Sequence, residues 1–177
     1  MFTSRGYLTC AARLNCRLTT SSSFAHNFQS PRLQALHSLI NKCLSVKGIR
    51  SLHARIIVHG LAHRDLTVTK LIASYALSPW GDIQYAQILF DEIPQRNRYV
   101  YNSLIRGYAN SEDPEKAMIL YKQMIVSAIF PNEFTFPFVL KACGIKESYR
   151  DGVLVHLMAV KLGYESHVCV ENGLINV

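Results

Sequence analysis

The chain has no acidic residue before Asp65, one tryptophan, six prolines and no long apolar run. The longest stretch free of Lys, Arg, Asp and Glu, Leu18 to Pro31, is filled with Ser, Thr and Asn. A membrane-spanning helix needs about 20 mainly apolar residues, so no span is expected. The five cysteines (Cys10, Cys16, Cys43, Cys143, Cys169) show no short paired spacing. Neither a disulfide framework nor a zinc site is expected from them, and free thiols are the default. Also missing are a phosphate-cradling glycine loop, a Gly-x-Ser-x-Gly turn and a His-x-Glu followed by Cys-x-x-Cys. Each of those patterns places a nucleophile, phosphate or metal by fixed geometry. Without them the expectation is a protein that is not an enzyme, with no cofactor, metal or small-molecule substrate.

The net charge of +7 is unevenly spread. Residues 1–64 hold nine Lys and Arg and no acid, whereas the remaining 113 hold ten basic and twelve acidic side chains. The basic character therefore belongs to the start of the chain and is no proof of a nucleic-acid surface further on. Residues 1–32 combine Arg5, Arg13 and Arg17 with a Ser-rich stretch from Thr19 to Ser23. That composition is expected of an organelle transit peptide. A secretory signal needs an unbroken apolar segment, and Arg13 and Arg17 interrupt the one candidate. Import into the mitochondrion is expected, with the chloroplast as the alternative.

An internal repeat organises the rest. Leu71-Ile72-Ala73-Ser74-Tyr75 returns as Leu104-Ile105-Arg106-Gly107-Tyr108, 33 residues later. Downstream, Ala86, Phe90 and Ile93 match Ala117, Tyr121 and Met124 at spacings of four and then three, which put three side chains on one helical stripe. Cys43, His53 and Gly60 match Cys143, His156 and Gly163 in a second kind of hairpin. The spacing predicts helices over 34–44, 47–59, 66–77, 82–92, 98–110, 114–127, 133–143 and 149–162, with another from 168. Breaks are expected at Ser78-Pro79-Trp80-Gly81-Asp82, Ile93-Pro94, Asp113-Pro114 and Phe130-Pro131-Asn132. A fixed period of tens of residues means hairpins that bury their apolar faces on their neighbours, an all-α solenoid. Because His53 and His156 recur at equivalent helical places, a packing role is expected of them. His59 and His63 flank Gly60 and are not expected to bind metal.

Laid out this way, the residues resemble the pentatricopeptide-repeat family, in its plant subclass of alternating long and short motifs. Residues 98–132 form a 35-residue unit with Tyr101-Asn102-Ser103-Leu104-Ile105 near its start and Pro131-Asn132 at its close. Residues 66–97, with Phe90-Asp91-Glu92-Ile93-Pro94, are similar to the short motif. The long motif is matched by 133–167 and, with more departures, by 33–65. Residues 168–177 read as the start of a truncated repeat. The nearest competitor, the tetratricopeptide repeat, is a protein-interaction scaffold of constant length. It wants Ala three residues after Phe90 and Tyr121, where this chain has Ile93 and Met124.

The resemblance implies a function. In the family the first helices of successive hairpins line a groove in which single-stranded organellar RNA is read one base per repeat. Carried over, the reading pair of residues 98–132 is Asn102 with Asn132, and Tyr99 is the wedge between bases. Two amides resemble the pyrimidine-preferring combination. The short unit offers Lys70 and Asn97, the long unit Pro137 and His167, and the last repeat Asn172. Lys70 is expected to meet a phosphate. Many relatives carry C-terminal extensions tied to cytidine-to-uridine editing, so editing or processing factors are further expected partners of a longer parent.

Overall fold

The computed structural model describes residues 35, 38–40, 45–59 and 65–174. The expected transit segment, Cys10, Cys16, Cys43 and most of the first expected helix lie outside them. Residues 35 and 38–40 are helical. Among the described residues there are no strands, and no helix is long and apolar enough to cross a membrane. They fall into two compact units divided between Arg96 and Asn97.

The unit ending at Arg96 contains α1 (Val46–Val58), α2 (Asp65–Leu77) and α3 (Ile83–Glu92). Ser45 starts α1 because its hydroxyl accepts the orphan N–H of Gly48 at 3.1 Å. Ile49, Leu52 and Ile56 then recur at helical spacing and are buried. Helix α2 packs against both α1 and α3. It accordingly buries nearly all of its circumference, from Thr67 through Tyr75. The chain turns sharply at Gly81, where a Cβ would overlap the Tyr75 carbonyl, and Asp82 caps α3 by accepting the Tyr85 N–H at 3.0 Å. Pro94 ends α3 by forcing Ile93 to extended ψ. Ile93 is therefore a half-buried cap residue, while its repeat counterpart Met124 is fully buried inside a helix. His53 packs edge-on against Tyr75 and Tyr85, with its Nδ1 3.2 Å from the Tyr85 hydroxyl, the structural role expected of it.

The unit starting at Asn97 contains α4 (Arg98–Ala109), α5 (Glu115–Val126), α6 (Phe136–Ile145), α7 (Tyr149–Lys161) and α8 (Val168–Leu174). Helices α4 and α5 form one antiparallel hairpin and α6 and α7 the next. The second stacks on the first through α4–α6 and α5–α6 contacts, and α8 stacks on α6. Within this unit the architecture is the expected α-solenoid. The seam is closed by large side chains with no exposure, among them Tyr101, Leu104, Ile105, Tyr108, Phe136 and Leu140. Each contributes about 1.5–3 kcal/mol of burial. The approach of α8 to α6 depends on Gly173, whose added Cβ would lie 3.1 Å from Pro137 Cα and from Leu140 Cδ1.

Three helices end in the same device. Beyond α5, α6 and α7, residues Ala128, Glu147 and Gly163 take positive φ of 56°, 53° and 77°. The N–H that follows each one bonds back five residues: Ile129 to Met124, Ser148 to Cys143 and Tyr164 to Ala159. Only Gly163 has the residue that this backbone favours.

Two expectations are corrected. Helix α6 begins at Phe136 rather than near 133, because Asn132 and Thr135 close a tight turn on each other: the Thr135 N–H donates to the Asn132 carbonyl at 2.8 Å, and the Asn132 N–H to Thr135 Oγ1 at 3.0 Å. Cys143 is a buried free thiol as expected, but Cys169 is disulfide-bonded. Five cysteines leave room for a pair, and chain spacing does not reveal which sulfurs meet in space.

Candidate nucleic-acid interface

Helix α4 carries Tyr99, Asn102 and Arg106 at spacings of three and four, which place them on one stripe. Asn97 starts this helix, its side-chain oxygen accepting the Val100 N–H at 3.0 Å. The apolar side of α4 is anchored by the fully buried Val100, Tyr101, Leu104 and Ile105. A rigid, deeply seated helix thus presents the stripe.

Asn102 and Asn132, 30 residues apart in sequence, are brought together. Asn102 Nδ2 donates to Asn132 Oδ1 at 3.0 Å. Thr135, with no exposure, joins them by donating from Oγ1 to Asn102 Oδ1 at 2.7 Å, and it lies 3.1 Å from Asn132 Oδ1.

The orientation of both amides follows from backbone donors. The Phe134 N–H donates to the Asn132 side chain at 3.2 Å, so the atom there must be oxygen. Facing that oxygen, Asn102 must present nitrogen, which turns its own oxygen toward Thr135. The Thr135 hydroxyl proton has two acceptors in reach, Asn102 Oδ1 at 2.7 Å and Asn132 Oδ1 at 3.1 Å, and the shorter contact takes it. What remains without an acceptor among the described residues is the second Nδ2 proton of Asn102 and both Nδ2 protons of Asn132. The pair therefore offers a group of fixed hydrogen-bond donors.

Tyr99, three residues before Asn102 on the same stripe, is 39% exposed. The Arg106 guanidinium lies over the Phe138 ring at 5.5 Å. Burial pushes the Tyr99 hydroxyl above its ordinary pKa, and Arg106 opposes that shift. Burial likewise lowers Arg106, with Tyr99 opposing.

The other sequence-derived positions are not alike. Asn97 spends its side-chain oxygen on the α4 cap. Pro137 stands in the first turn of α6, buried and without an amide. His167 Nδ1 accepts the Cys169 N–H at 3.4 Å, and Asn172 lies exposed on α8. Lys70 is half-buried on α2, its ammonium held below its ordinary pKa by burial. The 33-residue register that aligns Leu71 with Leu104 aligns Lys70 with Ser103 and sets Thr69 opposite Asn102. Thr69 is the residue that the sequence reading passed over, and that register was the signal for it. Thr135 was also missed, although its place three residues after Asn132 is a usual spacing for a side chain that closes a turn. Among the described residues no group of three His, Cys, Asp or Glu could hold a metal ion.

Stacked hairpins with polar residues at fixed places on their first helices define a helical-repeat protein. A family model, the PPR repeat family, matches residues 96–144, which include α4, α5 and most of α6. Several pentatricopeptide repeat-containing proteins of Arabidopsis thaliana are similar. One is 36% identical over 138 residues, 78% of this chain and 20% of its own length. Another is 32% identical over 160 residues, 90% of this chain and 25% of its own. A third, named as chloroplastic, is 36% identical over 141 residues, 79% of this chain and 19% of its own. The chain belongs to the pentatricopeptide-repeat family. It spans about a fifth to a quarter of the length of these relatives.

Proposed function

We propose that this chain binds single-stranded RNA in an organelle and that the Asn102–Asn132 pair reads one base. The observation that carries this reading is the set of amide protons left without a protein acceptor among the described residues, on amides oriented by Thr135 and the Phe134 N–H. Pyrimidines present carbonyl acceptors on the edge such donors would meet, O2 in both bases and O4 in uracil. Adenine has no carbonyl on that edge. In a duplex these edges are paired internally and the A-form major groove is too narrow to enter, so a splayed single strand is the fitting substrate. Tyr99 supplies a ring on which a neighbouring base stacks.

Replacing Asn102 with Thr and Asn132 with Asp should move the preference at one nucleotide from pyrimidine toward guanine. Binding to four RNAs that differ only at that nucleotide tests this. An unchanged preference in the double variant would leave the two amides as turn and helix residues. Alternation of long and short motifs, and service to RNA processing or modification such as cytidine-to-uridine editing, belong to the same reading for a longer parent. Import rests on the acid-free, Arg- and Ser-rich start. A fluorescent protein carrying residues 1–40 should enter the mitochondrion, or failing that the chloroplast, and a uniformly cytosolic signal would end that idea.

A further inference from the structure

Residues 97–174 hold eight basic and eight acidic side chains, so no general positive field draws a polyanion to this unit. Any phosphate contact must be local. Most of the cations there have protein acceptors. Arg98 Nε donates to the Phe130 carbonyl at 2.8 Å and Lys141 Nζ to Asn110 Oδ1 at 2.6 Å. Lys116, Lys122 and Lys146 pair with Asp113, Asp151 and Glu115 at 3.3, 3.4 and 2.8 Å. Arg150 and Lys161 are exposed to solvent.

Arg106 differs. Its side chain is half-buried, and among the described residues none of its five N–H donors meets a carbonyl, hydroxyl or carboxylate. It lies over the face of the Phe138 ring and interacts electrostatically with the Tyr99 hydroxyl. A guanidinium removed from part of its water without an acceptor is unfavourable until an anion arrives. Stacking on an aromatic ring orients the planar group and leaves its N–H edges open, the arrangement that grips a phosphate with two parallel bonds. The side chain also stands one helical turn from Asn102, on the same stripe.

We propose that Arg106 is a phosphate-positioning residue, holding the backbone of the strand whose base faces Asn102 and Asn132. This rests on the RNA reading above and adds to it a residue that reads no base. Phe138 is its platform.

The test uses the whole chain, a labelled uridine-rich single strand and a salt series, comparing wild type, Arg106→Gln and Arg106→Lys. Arg106→Gln should weaken binding roughly three- to tenfold, equally for four RNAs that differ at one base, and make the log-log salt dependence shallower by about 0.7. Arg106→Lys should keep the slope and lose only part of the affinity, because an ammonium keeps the charge without the fork. In wild-type protein the Arg106 Nε resonance should shift on adding the RNA, a readout that does not depend on a variant folding. An unchanged slope in Arg106→Gln, or an unmoved Nε resonance while wild type binds RNA, would overturn the assignment and leave the base-reading pair standing. Failure of wild type to bind single-stranded RNA would overturn both. An Nε shift with polyglutamate but not with RNA would assign Arg106 to a protein carboxylate instead.

Discussion

Replacing Thr135 with Val tests whether the three-residue polar cluster exists as described. Valine keeps the shape of threonine, so packing is nearly unchanged and the loss is that of one hydroxyl. Two partners are then stranded: the Asn132 N–H, which donates to Oγ1 at 3.0 Å, and Asn102 Oδ1, which accepts from it at 2.7 Å. A buried polar group left without its partner costs about 1–3 kcal/mol. Asn102 is only 7% exposed and should approach the upper part of that range, whereas Asn132 is half-buried and water can replace part of its loss. The sum is about 3–4 kcal/mol, or roughly 6–16 °C in Tm for a chain of this size. Thr135→Ser keeps the hydroxyl, gives up a methyl group and should cost about 1 kcal/mol. Thermal and denaturant unfolding followed by circular dichroism on wild type and both variants supplies the comparison. If Thr135→Val stays within about 0.5 kcal/mol of wild type while Thr135→Ser does not, the hydroxyl is not holding the amides and the argument for their orientation fails.

The helix ends and the buried thiol have consequences of their own. At Ala128, φ of 56° carries a steric cost that glycine avoids, so Ala128→Gly should raise stability by about 0.5–1 kcal/mol after the added freedom of the unfolded chain is counted. Gly163→Ala should lower stability by a similar amount, and denaturant midpoints that fail to move in opposite directions would refute the shared helix-ending device. Burial first, and then the charge of Asp151, push the Cys143 thiol up to about 11, while burial and then Cys143 push the Tyr121 hydroxyl up to about 12. Both groups hold their protons more firmly folded than unfolded, so the stability they contribute is complete below pH 9 and is lost as pH rises through 11 and 12. Unfolding midpoints should therefore fall steadily above pH 9. Cys143 should resist alkylation at neutral pH until the protein opens, whereas rapid labelling of native protein would contradict its burial.

Much of this fold could be read from residue spacing, for identifiable reasons. The return of Leu71 to Tyr75 as Leu104 to Tyr108 is visible because stacked hairpins place the same side chains in the same seam. Prolines 79, 94, 114 and 131 mark helix breaks because each lacks a backbone donor. The site was less legible. Asn102 and Asn132 stand out as a pair from their places in a repeat, but their bond to each other depends on how tightly the turn at 132–135 folds back, which spacing alone does not state. Arg106 escaped notice because its meaning comes from missing acceptors and from a ring 32 residues further on. The choice of Lys70 over Thr69 came from counting from the start of a short unit, although the matched core leucines supply a firmer register.

The central claim is that paired amides on a repeat helix serve a splayed strand. Fluorescence anisotropy at low salt, with the whole chain titrated into a labelled uridine-rich single strand and into the same strand annealed to its complement, tests it most directly. The account predicts saturable, salt-sensitive binding to the single strand and binding at least about tenfold weaker to the duplex, whose base edges are already paired. Equal affinity for the two, or no binding to the single strand at concentrations where the protein remains folded, would contradict it.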